Sequence, residues 1–220
     1  MALIGTSRFL TGLDPAVMNR EIAGRRFFQL AIEGSCPFPV LEDLAKDPKF
    51  SGDVVCEVYP ALVFRSTTAE HIPRVWLDAF HHRAWTADIE TQLRILLQER
   101  LTLELATVTP TAVLRALLQE HRLPEPNPGR IRADRFVVAD YDRVDVSRRL
   151  RALLANLRSV EDALTETQLR QRCAQINKSV SAIQRRGGQV VFLRMVSSGE
   201  LYEEEERRFP PEKHWNVFVR

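Results

Sequence analysis

The chain has 220 residues, 45% hydrophobic and 27% charged, enough for one α/β domain with an insertion or two small domains. Its 31 basic and 29 acidic residues leave a net charge of +2, with the arginines scattered rather than blocked, so no nucleic-acid partner is expected. No apolar run approaches the length of a membrane span, and the three cysteines lack metal-ligand spacing.

Ala2-Leu3-Ile4-Gly5-Thr6-Ser7-Arg8 reads as a buried strand that ends in a tight turn. Asp14 and Pro15 then supply an N-cap and a first helical position for a helix closing at Gly24. In a parallel α/β sheet the reacting groups lie at the carboxyl ends of the strands, which is where this reading puts Ser7. Met1 abuts this strand directly, so a further upstream segment is expected, and no compartment is read from the lack of a signal peptide. Residues 27–32 form a second strand that ends in Gly34-Ser35-Cys36-Pro37, followed by a short helix over 39–45. Residues 53–60 are nearly continuous in apolar character, as a strand covered on both faces requires, and Cys56 within it reads as a buried thiol. Strands and helices alternating in this way predict a doubly wound parallel sheet in the spatial order second, first, third, fourth.

The alternation then stops. Trp76, Phe80, Ile89, Leu93, Leu96, Leu97, Leu101 and Leu105 recur at a helical period, which predicts a packed helical subdomain. Thr109-Pro110 caps another helix to about His121, and a Pro-rich loop follows at 124–129. Residues 136–139 suit a short strand or hairpin. Helices are expected over 147–157 and from Thr165, where Thr165 with Gln168 makes a capping box, up to Gly187-Gly188. Residues 189–196 form a fourth strand, and the acidic run from Glu203 to Glu206 is expected to be a solvated loop or helix face rather than a metal site. The organisation expected is therefore residues 1–66 as the first half of the sheet domain, 67–145 as a mainly helical insertion, and 146–220 as a truncated second half.

Gly5-Thr6-Ser7-Arg8 after the first strand, Gly34 after the second, and Gly187-Gly188 ahead of the fourth strand resemble the SGNH/GDSL hydrolase superfamily. The likeness is to its divergent bacterial branch of cell-wall acyl-transfer and polysaccharide O-acylation proteins, with Thr6 in the usual Asp position. The segment Glu205-Glu206-Arg207-Arg208-Phe209-Pro210 fits that branch too. Two blocks depart from the pattern. Glu57-Val58-Tyr59-Pro60 stands where the family has Gly-x-Asn-Asp, and no Asp-x-x-His block is present: His214 is preceded at that spacing by Pro211. The resemblance implies a flavodoxin-like three-layer α/β fold with a large helical insertion between strands three and four. It implies a serine esterase or acyltransferase that acts on acyl esters, of a carbohydrate or cell-envelope polymer, in an extracytoplasmic setting and without metal or organic cofactor.

Under that reading Ser7 is the nucleophile, and the backbone N–H groups of Ser7 and Gly34 hold the oxyanion. Glu57 and Arg8 complete the candidate binding set, and His214 is the nearest candidate base. Each has a plainer alternative. Gly34 suits a turn of positive φ, Glu57 suits an ion pair with Arg8, and His214 lacks an acid at the required spacing. His81-His82 read as an exposed pair, and His71 and His121 lack partners at metal spacing. A serine without a base attacks poorly, so the chain is expected to be inactive or incomplete. The rival is a non-catalytic protein of the same fold, binding a protein partner through the helical insertion or self-associating at an exposed sheet edge.

Overall fold

The computed structural model describes residues 1–65, 70–82, 129–143, 145–159 and 163–218. Its strands are β1 (Ala2–Ile4), β2 (Phe28–Gln29), β3 (Val54–Glu57), β4 (Gly129–Ile131), β5 (Val137–Ala139) and β6 (Val190–Leu193). Among the described residues there are nine α-helices: α1 (Ser7–Gly12), α2 (Pro15–Glu21), α3 (Phe38–Lys46), α4 (Pro60–Val63), α5 (His71–His81), α6 (Val146–Arg158), α7 (Glu166–Gln184), α8 (Gly199–Arg208) and α9 (Trp215–Phe218).

Four strands form one parallel sheet in the order β2-β1-β3-β6, with Ala2 beside Phe28 and Val54, and Cys56 beside Phe192. That is the order expected from the sequence. Alternation along the strands divides the core between two faces. Ala2, Ile4, Val54, Cys56 and Val58 face the layer of α3 and α7, where Leu41, Leu169, Ile176 and Ile183 are buried. Leu3 and Val55 face the other way, against Phe9 and Leu10 of α1. Cys36 and Cys56 are buried thiols, and burial pushes Cys36 up to about 12.

Local chemistry explains most helix starts. Asp14 caps α2 by accepting the Ala16 N–H at 2.8 Å, and Pro15 opens the helix. Thr165 and Gln168 cap α7 reciprocally. One start differs from expectation. A helix begins at Ser7 itself, because the Thr6 hydroxyl accepts the Arg8 N–H at 3.3 Å and makes Thr6 an N-cap. Residues 136–139 take the hairpin alternative, as β4 and β5 pair antiparallel. That hairpin packs on the α1–α2 side, where Arg132 grips the Asp14 carboxylate at 2.7 and 2.9 Å.

Within the expected insertion, Trp76 and Phe80 of α5 are each more than half exposed. The periodic residues from Ile89 to Leu105, the helix expected over 109–121 with His121, and the Pro-rich loop up to 128 lie outside the described residues. The last segment forms the helix α9, not a strand. It seats Phe218 against Phe192 at 5.0 Å and beside Phe38 at 6.2 Å.

Candidate active site at the carboxyl edge of the sheet

The parallel order puts the ends of β1, β3 and β6 side by side, and three polar segments emerge there. Ser7 is the first residue of α1, partly exposed, three residues beyond the end of the central strand. The turn beneath it is built by close approach. A Cβ on Gly5 would lie 2.7 Å from Glu57 Oε2 and 2.8 Å from Phe9 Cγ, so only glycine lets the β1 backbone pass. The Thr6 N–H then donates to Glu57 Oε2 at 2.6 Å. Ser7 itself is held through its backbone, its carbonyl accepting the Thr11 hydroxyl at 3.0 Å.

Gly34 lies in an exposed turn beyond β2 with φ of 65°, so the turn demand foreseen for it is real. The Ile32 N–H donates to the Gly5 carbonyl at 2.9 Å, so Gly34 and Ser7 each stand two residues beyond the same rung on neighbouring chains. The end of β2 and the end of β1 therefore open onto one edge.

Glu57 does not pair with Arg8 as expected. Its side chain is fully buried, one oxygen is taken by Thr6, and the other, Oε1, has no hydrogen-bond partner. Burial raises its pKa, against the opposing pull of the Thr6 hydrogen bonds and the Arg8 charge. Arg8 instead reaches across the edge. Its Nη2 donates to Glu205 Oε1 at 2.7 Å and to Ser197 Oγ at 3.0 Å, and its guanidinium lies 3.9 Å from the centre of the Tyr59 ring.

Glu205 was invisible within a run of four glutamates. It is fully buried on α8, where Ser197 Oγ donates to its Oε2 at 2.9 Å and Arg194 stands 3.7 Å away. Its neighbours divide by face: Glu206 pairs with Arg194, and Glu204 with Arg207 and Arg208, which hold its carboxyl down at about 2. The acidic run is therefore half buried and ion-paired, and not the solvated face expected. Glu205, Ser197 and Arg194 stitch α8 over the sheet end, and spacing alone offered no signal for which glutamate would turn inward.

His214 is also buried, but among aromatic rings. It lies 5.2 Å from Phe64 and 5.5 Å from Phe209, with Nδ1 3.2 Å from the Pro210 carbonyl. Those phenylalanines belong to the α3–α7 face, whereas α1, which carries Ser7, covers the opposite one. Burial lowers the His214 pKa. The structure thus brings Ser7, Gly34, Glu57 and Arg8 to one edge and seats His214 in separate packing. Among the described residues no histidine is hydrogen-bonded to Ser7. His81 is half exposed and contacts Asp43 at 2.7 Å. Among the described residues no cluster of His, Cys, Asp and Glu is placed to hold a metal ion, and no helix is long and apolar enough to cross a membrane.

No protein-family model, curated protein or solved structure matches the chain.

Proposed function

We propose that the carboxyl edge of the sheet is a serine acyl-transfer site of the SGNH type on a flavodoxin-like three-layer fold. Ser7 Oγ attacks the carbonyl carbon of an acyl ester, the alcohol departs, and water or a second hydroxyl takes the acyl group from the serine. The backbone N–H groups of Ser7 and Gly34 serve the oxyanion. The reaction needs no cofactor, and the resemblance favours esters of a carbohydrate or cell-envelope polymer at an extracytoplasmic site.

One observation carries the reading. Ser7 opens a helix just after an inner strand, on a turn that Gly5 alone permits and beside the segment beyond β2 that leads into the Gly34 turn. Attack requires a base, and His214, the candidate named from the sequence, is packed between Phe64 and Phe209 instead. Loss of the histidine costs a serine hydrolase on the order of 10⁶ in turnover, so ester hydrolysis by this chain is expected to be slow. The test is labelling with a serine-directed fluorophosphonate, mapped by mass spectrometry. Adduct on Ser7, lost in Ser7→Ala, supports the reading; a labelled protein with Ser7 unmodified overturns it.

A second reading, partner binding by a non-catalytic protein, is favoured by α5. Ile72, Val75, Trp76 and Phe80 are 41–63% exposed on that one helix. Under it Ser7→Ala leaves partner binding intact, and Trp76→Asp with Phe80→Asp abolishes it.

A further inference from the structure

Glu57 is a fully buried carboxyl at the site that the serine chemistry does not use. It stands on the face of β3 that looks toward α1, in the period-two register of Val55. Oε2 accepts the Thr6 N–H at 2.6 Å, whereas Oε1 is buried with no hydrogen-bond partner. The cation that bears on it, Arg8, is already held by Glu205, Ser197 and the Tyr59 ring. The other charge acting on it is Glu205 from α8, and Glu57 itself bears on Cys56 of β3 and on Tyr59 just beyond that strand.

A carboxylate normally gathers several donors when it is buried, and an unpaired buried charge is among the costliest features a fold can keep. With Thr6 alone donating to this carboxyl and Oε1 left orphaned, the cheaper state carries a proton on the orphan oxygen. That leaves Oε2 as a neutral acceptor for Thr6 and no charge in the contact with Gly5 and Phe9. The upward push that burial gives this carboxyl agrees.

We propose that Glu57 is held as a neutral carboxylic acid with its proton on Oε1, and in that form is the positioning residue that fixes Thr6 and so aims Ser7. The aiming of Ser7 rests on the reading of Ser7 as nucleophile; the proton on Glu57 does not. Ionisation puts a charge on the orphan oxygen, draws water toward the Gly5 turn, and loosens the start of α1. The sign follows from the raised pKa. The stability Glu57 contributes is fully present below the ordinary value of 4.5 and is lost as pH rises through the raised folded value.

The experiment compares the wild type with Glu57→Gln, a neutral isostere, and with Glu57→Ala, from about pH 5 to about pH 9. A protonated-carboxyl stretch is expected in the wild-type infrared spectrum at neutral pH and missing in Glu57→Gln. Glu57→Gln should gain stability over the wild type as pH rises, keep the Thr6 amide protected, and label at Ser7 within about threefold of the wild type. Glu57→Ala should expose the Thr6 amide to exchange and label about 100-fold more slowly. Should Glu57→Ala not fold, Glu57→Asp, whose carboxyl falls short of Thr6, replaces it with the same expectations. An absent carboxyl band, with a stability difference that does not vary with pH, overturns the proton. A Thr6 amide as protected in the alanine or aspartate variant as in the wild type overturns the positioning role. A wild type unlabelled at Ser7 overturns the nucleophile and its aiming, and the infrared and exchange results still decide the proton and the hold on Thr6.

Discussion

A single methyl group at Gly5 would meet Glu57 Oε2 at 2.7 Å and Phe9 Cγ at 2.8 Å, and neither atom has room to retreat. Glu57 is tied to Thr6, and Phe9 is fully buried under the sheet. Gly5→Ala is therefore expected to destabilise by about 1–3 kcal/mol, read as a lower denaturant midpoint at unchanged slope. His214 makes a different demand, through its protons. Burial depresses its pKa below 6.5, so the unfolded chain takes up the proton first. The stability it contributes is present above pH 6.5 and is lost as pH falls through the lowered folded value. His214→Phe keeps a ring between Phe64 and Phe209 and removes the titration, so its midpoint should fall less than the wild type's on acidification. The same residue tests the chemistry. Aryl-ester turnover is expected to be slow, and His214→Phe should leave it unchanged; robust turnover abolished by both Ser7→Ala and His214→Phe would make His214 the base.

At the scale of elements, signals carried by neighbouring residues were legible and signals carried by docking were not. Asp14 before Pro15, and Thr165 three residues before Gln168, announce α2 and α7 because a cap is satisfied within one turn of chain. Thr165→Ala should accordingly cost about 1 kcal/mol in thermal or denaturant unfolding, with the rest of α7 unchanged in its far-UV signal. The continuous apolar run of β3 and its β1 neighbour likewise declare a sheet covered on both faces. Around the candidate site Ser7 and Gly34 were readable, since each sits at the end of a strand. The partners of Arg8 and Glu57 were not. Arg8 finds Glu205 nearly two hundred residues later, and Glu57 finds a backbone N–H that no side-chain pattern encodes. Four consecutive glutamates look alike in sequence; the way α8 lies over the end of β6 decides that Glu205 is buried and Glu203 is exposed. His214 was the histidine nearest the place of a C-terminal Asp-x-x-His block, and the aromatic ring of Phe64 on the far side of the sheet claims it instead.

Across the whole molecule the two ends of the sheet are treated differently. Leu30 and Ile32 turn their N–H groups toward β1, so the Ala31 carbonyl between them points outward, where Arg135 of the hairpin donates to it at 3.2 Å. That edge is partly covered. At the other end β6 pairs only with β3, and among the described residues no strand lies on its outer side. The terminal helix α9 packs on Phe192 from the face, through Phe218, and among the described residues no strand pairs with the outward ladder groups of β6. Val191 is 51% exposed, Leu193 37% and Val196 94%, so the open edge is also apolar. A row of unpaired N–H and C=O groups flanked by exposed valine and leucine is a template for another strand, and the absence of a charge or proline along Val190–Leu193 leaves it unguarded. Concentration-dependent association through this edge is expected in sedimentation velocity. Val191→Lys should suppress it, since an edge lysine must be desolvated before a second strand can pair. The sheet order predicts which amides change: those of β6 should gain protection from exchange with rising concentration, and those of β1, flanked on both sides already, should not. A chain that stays monomeric at high concentration while residues 190–193 exchange slowly would show that this edge is closed by other means.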